Sequence, residues 1–200
     1  MPVTDGPAGD PPSLGLLLGP MLSGDRGGRL YAKGSGVEAG HQFAEEYWRW
    51  GGASRLATQG RSVTTGPGGT TVRSPHRAAE LGPLQKPWLG WTDRLLEPRH
   101  LYVWGRGGED WRIDDVAGWS PAVEGAVEVT VRHVEDGRVG ALHLIPDLGR
   151  VMRIELPGFL SWAIDEINSN PDVDSWPLRR WFKDVVPERF KDVVPEPETC

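Results

Sequence analysis

The strongest constraint on the fold is a strict alternation of apolar and polar residues from Val127 to Arg132. The three valines of this run fall on one face of an extended chain, and a glutamate, a threonine and an arginine fall on the other. Asp136-Gly137 follows, and Asp-Gly favours the positive backbone angles of a tight hairpin. The pattern therefore predicts a strand over 127–134, a turn, and a return strand over Val139–Ile145.

Further elements are predicted on both sides of this hairpin. Residues 101–104 and 111–114 have the composition of two short strands, joined by a Gly-rich loop over 105–110. The helical spacing of apolar residues predicts one helix over 37–50 and another over 157–167. Together these elements predict an α+β fold, in which an antiparallel β-meander is packed by helices before and after it and the termini are disordered or extended.

The length of 200 residues suits one domain with tails. We expect a flexible leader over 1–30, a single α+β domain over 31–170, and a tail over 171–200. The stretch near 53–87 is rich in Gly and Pro and poor in large apolar residues, so it is predicted as an insert of that domain that forms a long loop or an irregular hairpin.

Charge and cysteine content exclude several classes of protein. The net charge of −6 argues against a general nucleic-acid binder, which needs a basic face, and fits a protein that binds basic partners. Cys200 is the only cysteine, so no intramolecular disulfide is expected and the cytoplasm is the predicted compartment. The apolar run over 14–22 is too short to cross a membrane and lacks the preceding positive charge of a signal peptide.

No residue pattern completes a catalytic or metal site. Gly34-Ser35-Gly36 lacks the spacing of a nucleotide-binding loop. His41 with Glu45, and His133 with His143, each supply two ligands at most, so we expect neither a metal nor a cofactor. The serines lie outside any nucleophile-elbow context. The sequence therefore favours a non-enzymatic protein, with a small hydrolase of unrecognised geometry as the least supported alternative.

A partner-binding surface is predicted around the loop over 105–110 and the strand that follows it. Acidic residues cluster there, and one tryptophan, in Ala117-Gly-Trp-Ser-Pro121, lies in a loop-like context where exposure is expected. The candidate contact residues are Glu109, Asp110, Asp114, Asp115 and Trp119.

The end of the chain repeats one motif, Phe-Lys-Asp-Val-Val-Pro-Glu, at 182–188 and 190–196. In each copy the phenylalanine and the two valines would share one face of a helical turn that the proline ends. Two copies on a tether suit bivalent docking. A recent duplication without function is the alternative, and both interpretations stay open. The candidate docking residues are Phe182, Val185, Val186, Phe190, Val193 and Val194.

Residues 101–167 resemble the later part of the SMI1/KNR4 superfamily, whose members are also called SUKH domains. The parallels are the Gly-containing hairpin over 101–114, the strand over 127–134, and the segment Glu155-Leu-Pro-Gly-Phe-Leu-Ser-Trp-Ala-Ile-Asp-Glu-Ile167, which stands where the family has its final helix. The resemblance implies a non-enzymatic binding domain. Bacterial members are similar to immunity proteins that neutralise toxins, and no catalytic residue carries over from the family.

Two functional hypotheses follow. The first is a cytoplasmic protein-binding domain, such as an immunity protein or a regulator, that blocks a basic partner sterically and electrostatically. The second is a structural or assembly component, such as a phage or particle protein, that docks through its repeated tail.

Overall fold

The computed structural model describes residues 9–23, 28–66, 69–81 and 89–171. The duplicated tail motif and its six candidate docking residues lie outside the described residues, so their role stays a prediction.

The described residues form one antiparallel sheet of eleven strands and two α-helices. Neither helix has the length and apolar character needed to cross a bilayer. Two short 3₁₀ turns, Pro98–His100 and Pro146–Leu148, complete the regular structure. The helices are α1 (Leu14–Ser23) and α2 (Trp91–Leu96), and the strands are β1 (Arg29–Glu38), β2 (His41–Trp50), β3 (Ala53–Thr58), β4 (Arg61–Gly66), β5 (Gly69–Ser74), β6 (Arg77–Leu81), β7 (Trp111–Trp119), β8 (Val127–His133), β9 (Val139–Ile145), β10 (Arg150–Leu156) and β11 (Leu160–Asn168).

The sheet consists of two meanders that meet at its centre. Its strand order is β6-β5-β4-β3-β2-β1-β11-β10-β9-β8-β7, so the first and last strands of the chain are neighbours. Tyr31 of β1 lies opposite Asn168 of β11, and Glu38 lies opposite Leu160. The connection from β6 to β7 contains α2, which packs against β1, β2, β10 and β11. This crossing segment places α2 over the centre of the sheet.

The core lies between one face of the sheet and the two helices. Alternate residues of β8, β10 and β11 supply its apolar surface, as the pleat of a half-covered sheet requires. From α1, Leu17 and Met21 are buried in the same cluster. This part of the predicted flexible leader is therefore packed against the domain.

The predicted α+β fold is wrong in its helices. Residues 37–50, predicted as a helix, form the end of β1, a turn and the whole of β2, and residues 157–167, predicted as a helix, form a turn and most of β11. On β2, Tyr47 faces the core while Trp48 packs on the opposite face, so apolar side chains on both faces obscure the strand period. The resemblance to the SMI1/KNR4 superfamily implied the second of these helices and itself stays a prediction.

Over 53–81, the stretch predicted as a long loop or an irregular hairpin forms β3, β4, β5 and β6, which continue the sheet as regular hairpins. These strands are rich in Thr and need few large apolar residues, because β-branched side chains suit a pleated, half-buried surface. By contrast, β8 and β9 confirm the predicted hairpin, with Val127, Val129 and Val131 all fully buried. The other predicted hairpin is wrong: residues 101–104 form no strand and make one isolated bridge, Trp104 with Arg112, while β7 pairs with β8.

Candidate binding groove

Helix α2 is held to β2 by polar contacts at both of its ends. Its N-cap residue, Gly90, has no side chain, and the Glu45 carboxylate of β2 instead accepts the backbone N–H of Thr92 at 2.8 Å. At the other end, Arg49 donates to the Glu97 carboxylate at 3.1 Å. Two residues on one face of the strand thereby fix a six-residue helix that would not be stable alone.

Burial disfavours the charged form of two carboxyl groups between α2 and β2, those of Glu45 and Asp93. It raises the pKa of Glu45, and the hydrogen bonds from Thr92 and Trp91 oppose that rise. Burial also raises the pKa of Asp93 to about 7, with the negative charge of Glu97 adding to the effect and a hydrogen bond from Tyr47 opposing it. This short helix therefore lies on a buried polar stripe of β2, and its first residue, Trp91, forms part of the groove described next.

The turn between β10 and β11 has a fixed backbone and an exposed phenylalanine. Arg138 donates to the Pro157 carbonyl at 2.7 Å. The Phe159 N–H donates to the Leu156 carbonyl at 3.0 Å, and the Phe159 carbonyl accepts the Ala39 N–H at 2.8 Å. The Phe159 side chain nevertheless remains 42% exposed. The turn thus presents an apolar ring on a backbone held by three hydrogen bonds.

Two pockets, of about 420 Å³ and about 500 Å³, flank this turn. Both are lined by Leu156, Gly158 and Phe159, so they adjoin, and we call them together the Phe159 groove. The first pocket is further lined by Trp91, Tyr102, Val103, Gly108, Glu109, Asp110, Trp111, His133, Arg138 and Ile154, and the second by Val37, Gly40, Glu155, Pro157, Leu160 and Ser161.

Aromatic rings dominate the wall of the first pocket. Trp91 makes edge-on contacts with Tyr102 and with Phe159, at centroid distances of 6.5 Å and 6.2 Å. Trp111 contacts His133 in the same manner at 5.1 Å. Such edge-to-face packing holds ring orientations in place. The groove therefore combines a rigid aromatic wall with the charged groups of Asp110 and Arg138.

The structure brings two of the five predicted contact residues into the groove, and it gives Glu109 a structural role. The Glu109 side chain is only 7% exposed and accepts hydrogen bonds from the backbone N–H groups of Trp104 and Arg106. Asp110 is partly exposed and lines the first pocket. Glu109 therefore holds the loop together, and Asp110 is the residue of the two that is placed to meet a partner.

The other three predicted contact residues lie on β7, outside the groove. Asp114 pairs with Arg132 at 2.7 Å. Asp115 is exposed, and its carboxylate accepts the backbone N–H of Val116. Trp119 is half-buried and donates from its indole N–H to the Gly9 carbonyl. Their part in partner binding stays a prediction.

Sequence reasoning missed the residues that define the groove, above all Phe159 and Tyr102. The sequence predicts a helix start at Pro157-Gly158, whereas Gly158 has a φ of 78°, which favours a turn. A proline and a glycine immediately before an apolar alternation were the available signal for a hairpin.

Outside the groove, Ser120 and His143 form a contact that resembles a catalytic serine–histidine pair. The Ser120 hydroxyl lies 2.7 Å from Nδ1 of His143. The same oxygen accepts backbone N–H groups from Ala122 and Val123, which is the geometry of a serine that stabilises a turn. Burial lowers the pKa of His143. Within the described ranges, no three His, Cys, Asp or Glu residues are grouped to hold a metal ion.

No family model matches the chain, and no curated protein matches it significantly. Three similar solved structures are MucB (17% identity, 79% of this chain, 60% of that chain, TM-score 0.39), the MucA/MucB complex of Pseudomonas aeruginosa (21%, 79%, 58%, 0.40) and an uncharacterized conserved protein from Thermus thermophilus (10%, 80%, 92%, 0.47). The chain thus spans about 60% of the length of MucB. At these identities and TM-scores, the similarities assign no function.

Proposed function

We propose that the chain is a non-enzymatic domain that binds another protein by receiving an apolar side chain of that partner in the Phe159 groove. The observation that carries the proposal is the pairing of a fixed backbone with an exposed ring at Phe159. A site held in its binding conformation loses little entropy on association. An apolar ring exposed without such a role would only weaken solubility.

The apolar surface extends beyond the groove itself. Tyr102 is 51% exposed and Val37 is 36% exposed, and each lines one of the two pockets beside Phe159. Clustered exposed apolar residues of this kind are typical of interaction surfaces. The volumes of the two pockets fall within the range of known ligand sites, roughly 300–1,000 Å³.

The finer hypothesis is that the partner is a basic, toxin-like protein, which this domain neutralises as an immunity protein or regulator. Support comes from the net charge of −6 and from Asp110, which lines the groove. An acidic residue beside an apolar groove would steer a basic partner toward it. Glu109 and Asp114 do not add to this acidic surface, because each has a partner within the domain.

Photo-cross-linking at Phe159 tests the proposal directly. A photoreactive phenylalanine analogue replaces Phe159 in the full chain, which is expressed in the cells of its source and then irradiated. We expect one discrete cross-linked protein, which mass spectrometry would identify.

A matched control replaces Leu148, which is 50% exposed and lies in the turn between β9 and β10, at the opposite end of β10 from Phe159. Identical cross-links at both positions, or none at Phe159, would rule out the groove as the binding site. A cross-link to another copy of the chain or to a particle subunit would favour the assembly hypothesis.

A further inference from the structure

The charges of the chain are segregated along the sequence. Residues 53–79 contain four arginines and no aspartate or glutamate, although the whole chain has 28 acidic and 22 basic residues. The remainder therefore has 18 basic residues (22 less 4) against 28 acidic ones. Because 53–79 spans β3, β4, β5 and most of β6, we call this half-sheet the arginine wing.

Two of the four arginines, Arg55 and Arg73, lie on the face of the wing that points away from the core. Arg55 lies opposite Trp48 on one side and Thr64 on the other, and Arg73 lies opposite Ser62. Leu56 and Val63 occupy the intervening positions and are buried in the core or against it. Cα partners share a face of the sheet. Arg55 and Arg73 therefore lie on β3 and β5 of one face, about 10 Å apart across the strands and about 7 Å along them, or roughly 12 Å in all.

Aromatic packing holds the Arg55 side chain on this face. Its guanidinium lies 5.4 Å from the centroid of the Trp48 ring, which also contacts Tyr31 at 5.6 Å. Burial lowers the pKa of Arg55, and the positive charge of Arg73 lowers it further. Placing two cations near one another has a free-energy cost unless an anion lies between them.

Several other arginines of the described residues are neutralised by a carboxylate. Six, including Arg132 and Arg153, form ion pairs with a carboxylate. No ion pair within the described ranges includes Arg55 or Arg73. The nearest acidic group on this face, Glu46, lies 4.0 Å from Lys33.

We propose that the outer face of the arginine wing binds an acidic, extended segment of a partner protein through Arg55 and Arg73. Guanidinium groups take carboxylates in bidentate hydrogen bonds, and Ser62, which is partly exposed, lies on β4 between the two arginine-bearing strands as a further donor. Two residues of an extended peptide that are four positions apart lie on the same side of it and roughly 13 Å from each other, which is close to the separation of Arg55 and Arg73. A nucleic acid fits less well, because the acidic remainder of the chain repels a continuous polyanion. This site lies on β3, β4 and β5, shares no residue with the Phe159 groove and does not depend on it.

Fluorescence anisotropy of a labelled peptide of alternating glutamate and serine tests this inference on the full chain. We expect saturable binding that weakens as salt is raised and that an excess of a lysine–serine peptide does not compete for the arginine wing. Arg73→Gln, at an exposed position, should weaken binding several-fold, and Arg55→Gln/Arg73→Gln roughly tenfold or more.

Arg112→Gln is the matched control, because Arg112 is exposed on β7, the opposite edge of the sheet. Circular dichroism would confirm that each variant is folded. Absence of peptide binding, or equal binding by the wild type and the Arg73→Gln variant, would overturn the proposal. Tighter binding of a single-stranded oligonucleotide than of the acidic peptide would replace it with a nucleic-acid site. A dimer that the double substitution dissociates would replace it with a contact between copies.

Discussion

The Glu45 carboxylate accepts the backbone N–H of Thr92 at 2.8 Å, so a strand residue caps a helix that lies 47 positions later in the chain. Glu45 is 5% exposed and Thr92 is fully buried. Replacing Glu45 with alanine would leave the Thr92 N–H buried without an acceptor. We expect Glu45→Ala to lower the free energy of unfolding by about 1–3 kcal/mol.

Urea denaturation at neutral pH measures this change, and Glu45→Gln is the matched control. The glutamine keeps an oxygen that can accept the same N–H and removes the charge that burial disfavours. Glu45→Gln should therefore retain most of the wild-type stability. Equal losses in both variants would show that the contact depends on charge and not on capping.

Gly90, the N-cap of α2, has no room for a side chain. A Cβ atom added there would lie 2.5 Å from both carboxylate oxygens of Glu45 and 2.5 Å from a methyl group of Leu56. We expect Gly90→Ala to displace α2 and to lower the free energy of unfolding by about 1–3 kcal/mol, the usual effect of overpacking. Gly15→Ala, in α1, is the control, since a Cβ there meets no atom within 4 Å. Similar unfolding midpoints for the two variants would contradict this assignment.

The β8–β9 hairpin could be predicted from the sequence, and β2 and β11 could not. On β8 the alternating valines all face one side, so the strand period is visible without any tertiary information. On β2, Tyr47 packs into the core while Trp48 packs beside Tyr31 on the other face, and a window of such residues satisfies a helical spacing equally well. Whether β2 forms a strand or a helix depends on its pairing with β1 and β3. Those strands are close in sequence, but their own residues show no clear alternation of apolar and polar side chains.

Much the same holds for the groove. The acidic loop that contains Asp110 is visible as a surface feature, because turn residues and charge are local properties. Phe159 and Trp91 are separated by 68 positions and meet only because the crossing segment lays α2 over the sheet. Such contacts between residues far apart in the sequence depend on the topology of the fold, which cannot be predicted from the local pattern of a single sequence.

Asp93 should make stability fall as pH rises. Burial and Glu97 raise its folded-state pKa to about 7, well above the usual value of an aspartate, so the folded state binds a proton that the unfolded state has lost. The stabilisation is complete below about pH 4 and is lost as pH rises through 7, with an upper limit of about 4 kcal/mol. Thermal unfolding across this range measures the slope.

Asp93→Asn isolates this contribution. The asparagine oxygen can still accept the hydrogen bond from Tyr47 but carries no charge, so the variant should be more stable than the wild type near pH 8 and should lose the Asp93 part of the slope. The comparison is needed because His143, whose pKa burial lowers, contributes a slope of the opposite sign. Parallel pH profiles for the two proteins would rule out Asp93 as the titrating group.

Arg138 should control the rigidity of the Phe159 turn without supporting the whole fold. Its guanidinium donates to the Pro157 carbonyl and to Asp136, each at 2.7 Å, and lies over the Trp111 ring. Removing it frees the turn while leaving the strands paired. We expect Arg138→Gln to raise the hydrogen-exchange rate of the Phe159 amide by roughly tenfold, with the global unfolding midpoint nearly unchanged.

Mass spectrometry of the peptide that spans residues 155–162 measures this exchange. Arg132→Gln is the control, because it breaks an exposed ion pair with Asp114 that lies outside the groove. An equal rise of the exchange rate in the two variants would mean that the Phe159 amide exchanges through global unfolding and not through local opening of the turn. Exchange that rises only in Arg138→Gln would show that a single side chain holds Phe159 ready for a partner.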